Sequence, residues 1–147
     1  KLEIGSVLHW KELYSSTGND EKFRWFVFLG TTSKILMPIF AFISTTTTQI
    51  KHYENGGSRI NHNFVCFKKG EFGFEADCIL DLDNIDHGHQ LCELENSLFI
   101  EIKGKISSDK LKLIYEKILK SKYLSKKEKL DVHTSFNQAR ITGLKKP

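Results

Sequence analysis

The chain has 147 residues, 39% hydrophobic and 27% charged, which suits one soluble globular domain with a real core. Its 22 basic and 18 acidic residues leave a net charge of +4, compatible with a nucleic-acid partner but too small to demonstrate one. Three widely spaced cysteines with no CxxC pair argue against a disulfide framework and for a reducing compartment. The most apolar stretch is interrupted by Ser33, Lys34 and Pro38, so no membrane span is expected. Lys1 to Gly5 lack the apolar run of a secretory signal, which points to a cytoplasmic protein.

In chain order, Leu2 to Trp10 reads as a strand with a turn at Gly5. Lys11 to Lys22 is polar, with Thr17-Gly18-Asn19-Asp20 marking a loop. Phe26 to Leu29 and Ile39 to Ile43 are short apolar runs, rich in aromatic and β-branched residues and bounded by Gly30, Thr31 and Pro38. They predict two buried central strands. Arg24 precedes the first, and the hydroxyl run Ser44 to Thr48 follows the second. The polar ends of these strands are the expected functional site. Gln49 to Asn63 is a second polar loop, with Asn55-Gly56-Gly57-Ser58 at its tip and His52, Arg59 and His62 nearby.

Phe64 to Lys68 predicts a short strand. Asp77 to Asp83 alternates strictly, with Asp77, Ile79, Asp81 and Asp83 on one face and Cys78, Leu80 and Leu82 on the other. Ile85 to His89 reads as a turn, and Leu98 to Lys103 as the last strand. The period then changes: Leu111, Ile114, Tyr115, Ile118 and Leu119 fall at helical spacing behind Ser107. A helix over 107–120 follows. Ser125 and Glu128 form a capping-box pattern for a second, short helix, while the polar stretch from Val132 to Lys146 is expected to fray. The tail over 121–147 therefore has no firm assignment.

Several groups invite chemistry, and each also has a plain reading. Arg24 alone reads as a surface arginine paired with Asp20 or Glu21, and the hydroxyl run as an exposed strand end. The six histidines sit in or beside polar segments and read as surface residues; His52 and His62, flanking the second loop, are the better candidates for substrate contact. Trp10, Tyr14, Trp25 and Tyr53 lie near polar loops and could stack on bases. Asp81, Asp83, Asp86, His87 and His89 are dense in metal-binding side chains, but their spacing matches no EF-hand or zinc pattern. A solvated strand face explains them better, so no metal or other cofactor is expected. Glu101-Ile102-Lys103 has the E-x-K form of restriction-type nucleases, with Asp81 or Asp83 upstream as a metal partner.

The order of elements resembles the MazF/PemK (Kid) toxin family, small SH3-like barrels with one C-terminal helix. Ile4-Gly5-Ser6-Val7 is similar to the family's opening, Arg24 before Phe26-Val27-Phe28-Leu29 to its leading arginine, and Ile39 to Thr45 to its third strand. Phe64 to Phe67, Gly70 to Leu80, Ile85-Asp86 and the Ile102 to Ser107 segment resemble the later strands and the start of the last helix. The resemblance spans about Ile4 to Lys120. It implies one mainly-β domain over 1–147, a barrel of the SH3-like CcdB/MazF type with a C-terminal helix and a short helical tail. It further implies a metal-independent endoribonuclease acting on single-stranded RNA, a homodimer, and a cognate antitoxin protein. Arg24 would then steady the phosphoryl oxygens, with Ser44, or Thr45 one place on, as the partner hydroxyl. Trp25, Thr46, His52, Arg59 and His62 would contact RNA. The alternative is a non-catalytic barrel that binds protein or nucleic acid, as the CcdB-type gyrase poisons do.

Overall fold

The computed structural model describes residues 2–14, 20–33, 37–44, 50–54, 56–61, 63–86, 96 and 98–147; within strands, the side chains of residues 11–14, 20–24, 42, 44, 84 and 86 lie outside that description. The strands are β1 (Ser6–Tyr14), β2 (Asp20–Thr31), β3 (Pro38–Ser44), β4 (Phe64–Phe67), β5 (Cys78–Asp86) and β6 (Ile100–Lys105), followed by α1 (Ser108–Leu119) and α2 (Lys126–Gln138). Single 3-10 turns occupy Lys51–Tyr53 and Glu71–Gly73.

The two apolar runs meet at the middle of one antiparallel sheet, whose spatial order is β4-β5-β3-β2-β1-β6. Phe26 through Leu29 are all buried, as are Ile39, Phe40, Ala41 and Ile43. Unbroken burial along a strand means both faces are covered, which is why these segments read as runs rather than as alternation. One row of paired residues crosses every strand: Glu101, His9, Trp25, Ile43, Leu80 and Val65. Its β3, β5 and β4 members are buried, whereas Trp25 and His9 are half-buried and Glu101 is exposed.

The sheet curls enough for the turn Glu71–Gly73, between β4 and β5, to sit on β6 at the far end of the strand order. Gly73 and Gly104 make that crossing. A Cβ on either would run into the backbone opposite, Lys103 O for Gly73 and Phe72 O for Gly104. Among the described residues the hydrogen-bonded ladder ends at β4 and β6 without joining them. What stands is a mainly-β sheet with C-terminal helices.

Three segments differ from expectation. Ile85 and Asp86, expected in a turn, close strand β5, because they pair with Ala41 and Phe40; His87 to His89 lie outside the described residues. The polar stretch 11–22 is not mostly loop: β1 runs on to Tyr14 and β2 starts at Asp20, with Glu12 opposite Lys22 in a long hairpin. Backbone pairing to a neighbouring strand carries these polar residues. The tail does not fray either. Its capping box forms, with Ser125 Oγ accepting from Glu128 N at 3.1 Å and Glu128 Oε1 from Ser125 N at 3.0 Å. The helix then continues to Gln138 because Val132 and Phe136, four apart, are both buried.

Helix α2 docks where Gly30 leaves room: Ser135 Oγ accepts from Thr31 N at 3.1 Å and donates to Thr31 O at 3.2 Å. A side chain at Gly30 would collide with Ser135. Lys129 Nζ donates to Leu119 O at 2.9 Å and Ser121 O at 2.8 Å, so α2 satisfies carbonyls at the end of α1. Helix α1 matches its expected span, with Leu111, Ile114, Tyr115 and Ile118 buried. Cys66 is exposed and Cys78 buried, both as free thiols; burial pushes the Cys78 thiol up to about 12. Cys92 lies outside the described residues.

Candidate functional site

The β2–β3 ladder ends with Trp25 opposite Ile43. The next residue outward on β2 is Arg24, and the next on β3 is Ser44. Arg24 pairs on its other side with Trp10, and Ser44 with Ile79. The backbone therefore brings these two positions side by side where β3 ends, with Arg24 four residues inside β2. Their side chains, and the whole of Thr45, Thr46 and His62, lie outside the described residues.

Trp25 belongs to the cross-sheet row. Its ring stacks on His9 with centroids 4.6 Å apart and lies 6.2 Å from Phe74. It thus packs against its own chain while staying half-buried. Beyond His9, Lys103 Nζ pairs with Glu75 at 3.0 Å and with Glu101 at 3.3 Å. Burial lowers the pKa of His9, helped by Lys103 and opposed by Glu75 and Glu101. The carboxylates, Glu75 first, raise that of Lys103. His9 is half-buried rather than the surface residue its polar surroundings suggest. The available signal was its place one residue from Trp10 in an extended run, but Trp25 as its partner required the register.

The E-x-K residues and their upstream aspartates lie on different strands, Asp83 on β5 with Asp81. Glu101 is occupied with Lys103 on β6, while Asp81 lies on β5, with β3, β2 and β1 between them. No group of three or more His, Cys, Asp or Glu able to hold a metal occurs among the described residues.

The described residues after the hydroxyl run, 50–54, 56–61 and 63, form a folded arm, the 50–63 arm. Arg59 N donates to His52 O at 2.6 Å, and Gly57 N to Glu54 O at 2.8 Å. Gly57 packs so tightly on the Lys51 and His52 carbonyls that no Cβ would fit. His52 is exposed, its Nδ1 3.2 Å from Ser58 Oγ. Arg59 is half-buried; its guanidinium carbon lies 5.9 Å from the Tyr53 ring centroid, and its Nη1 donates to Tyr53 Oη at 3.4 Å.

Tyr53 is not the stacking platform that its polar surroundings suggested. It is buried, edge-on to Phe64 at 5.2 Å, and its hydroxyl donates to Asp81 Oδ2 at 2.7 Å. Nor is the aspartate face of β5 solvated: Asp81 has 0% exposure. Asp81 pairs with Phe42 on one side and Phe64 on the other and lies under Tyr53, and a bulge begins just after it. The β3–β5 register jumps from Phe42–Asp81 to Ala41–Ile85, so Leu82, Asp83 and Asn84 intervene on β5 alone. The bulge turns backbone and carboxylate groups toward the arm. Leu82 N donates to Asn63 O at 2.9 Å, Asp83 Oδ2 accepts from Asn63 N at 2.7 Å, and Asp81 Oδ1 accepts from Asp83 N at 2.9 Å.

Asp83 Oδ1 also accepts from Ser121 Oγ, and Asn63 Nδ2 donates to Lys117 O at 3.3 Å, tying the bulge to the α1–α2 connection. Both feet of the arm, Tyr53 and Asn63, are thereby bonded to one stretch of β5. No buried side-chain nitrogen or oxygen among the described residues lacks a hydrogen-bond partner.

A groove of about 550 Å³ opens elsewhere, lined by residues including Ile4, Phe28, Gly30, Leu111 and Ser135; Trp25, His52 and Arg59 do not line it. No helix among the described residues is long and apolar enough to cross a membrane. Comparison with protein-family models, curated proteins and solved structures finds no match.

Proposed function

We propose that this chain is a metal-independent endoribonuclease that cuts single-stranded RNA, built on an open SH3-like barrel of the MazF/PemK kind. One observation carries the reading. The Trp25–Ile43 pair leaves Arg24 and Ser44 as the next positions on adjacent strands, and the arm bearing His52 and Arg59 follows β3 in the chain. An arginine binds a phosphate through two parallel hydrogen bonds and stays charged at every working pH. In the reaction the 2′-hydroxyl gives its proton to solvent water as its oxygen bonds to phosphorus, the 5′-oxygen departs and takes a proton from water, and the products are a 2′,3′-cyclic phosphate and a 5′-hydroxyl; charge grows on the phosphoryl oxygens on the way. Arg24 meets that charge, and Ser44, or Thr45, adds an oriented hydroxyl. His52 and Arg59, with Thr46 and His62, contact the flanking strand. Trp25, half-buried with His9 stacked on one face, contributes through its exposed part. A cytoplasmic homodimer restrained by an antitoxin protein completes this reading.

The test is incubation of the purified protein with a long single-stranded RNA in excess EDTA. Cleavage that persists in EDTA and disappears in Arg24→Ala and Ser44→Ala is the expected result. Cleavage only with added magnesium rejects it. A second reading, a non-catalytic protein-binding barrel, draws on an apolar surface at β6, where Leu98, Phe99 and Ile102 are 96%, 51% and 49% exposed. Absence of cleavage at stoichiometric protein favours that reading.

A further inference from the structure

We infer that Asp81 and Tyr53 are positioning residues, which hold the 50–63 arm on β5 and so set Arg59 where an RNA phosphate is bound. The inference rests on the RNA reading above and extends it to side chains that touch no RNA. Its basis is a continuous chain of contacts. The Asp81 carboxylate is fully buried and accepts the Tyr53 hydroxyl at 2.7 Å; that same hydroxyl accepts from Arg59 Nη1 at 3.4 Å, and the Tyr53 ring lies against the guanidinium. Tyr53 Oη is both donor and acceptor, so its orientation is set from the buried side and passed outward. The other foot is bonded at Asn63 through Leu82 and Asp83. An arm held at both feet presents its cation with little ordering left to do on binding, which is where such an arrangement gains affinity.

The variant that separates this from a packing role is Tyr53→Phe, which keeps the ring against Phe64 and removes only the hydroxyl. Binding is read by anisotropy with a labelled single-stranded RNA 2′-O-methylated throughout, so that no cleavage intervenes. Arg59→Ala is expected to weaken binding about 10-fold, the scale of one hydrogen bond to a charged group. Tyr53→Phe is expected to lose about as much, and the double variant no more than either alone, because tyrosine acts through the arginine. Amide hydrogen exchange across residues 50–61 should rise in Tyr53→Phe while exchange in α1 stays as in the parent.

Losses that multiply in the double variant, or exchange in 50–61 that does not change, overturn the inference while RNA binding by the parent stands. A parent protein that binds no RNA, yet shows the exchange increase, removes the RNA assignment and keeps the anchoring of the arm. The two failures are therefore distinct.

Discussion

The arm over 50–63 and the helix pair α1–α2 both rest on the same sheet, yet they are held by different forces. The helices bury Leu111, Ile114, Tyr115, Ile118, Val132 and Phe136, so their attachment is spread over many weak apolar contacts. Among its described residues the arm buries one large side chain, Tyr53, and it depends on a few polar bonds to β5. Apolar attachment degrades in proportion to the surface lost. A buried carboxylate does not, because removing its donor leaves a group that water cannot reach. The bonds through Ser121 and Lys117 join the two regions, so the comparison can be tested from either side.

The largest effect is expected in the helix pair. Phe136→Ala empties a fully buried site and should cost about 3–5 kcal/mol, read as a fall in the urea midpoint of global unfolding. A loss confined to α2, with the sheet still cooperative, would show the two regions to be less coupled than their shared bonds suggest.

Tyr53→Phe comes next, at about 1–3 kcal/mol, since Asp81 loses a hydrogen bond inside the protein. Here the expected opening is local: exchange rises in 50–61 before the global transition moves. A purely global shift would erase the distinction between arm and helices.

Ser125→Ala removes the cap of α2 and should cost about 1 kcal/mol by the same urea titration. An effect near zero would mean that burial alone holds the helix start.

The smallest effect lies outside both regions, at His9. Burial lowers its pKa, so as pH falls the unfolded chain takes up the proton first. That contribution is present above about pH 6.5 and is lost on acidification below it. His9→Phe should flatten the change in stability between pH 7 and pH 5 without altering the Tyr53→Phe effect. An unchanged slope would assign the acid sensitivity to other groups.

Much of the architecture was legible. Phe26 to Leu29 and Ile39 to Ile43 announced central strands, and the spacing from Leu111 to Leu119 announced α1 with its cap. The Ser125–Glu128 pattern placed the start of α2, but its length depended on the burial of Val132 and Phe136 and on Ser135 meeting Thr31, about a hundred residues earlier. The β1–β2 hairpin hid behind polar residues that carry no burial signal. At the site, adjacency of Arg24 and Ser44 follows from strand order, whereas the roles of Tyr53 and Asp81 were inverted. A tyrosine in a polar loop resembles a binding group, and an aspartate in an alternating strand resembles a wet face.

By itself the sequence determined the central strands, α1 and the start of α2, because periodicity and capping are local and act within a few residues. Only the tertiary structure decided which carboxylate goes inside. Asp81 is stable there because a hydroxyl 28 residues away in the chain arrives to meet it, beside a bulge no local pattern marks. The free energy of a buried polar group depends on its partner, and that partner exists only once the chain has folded.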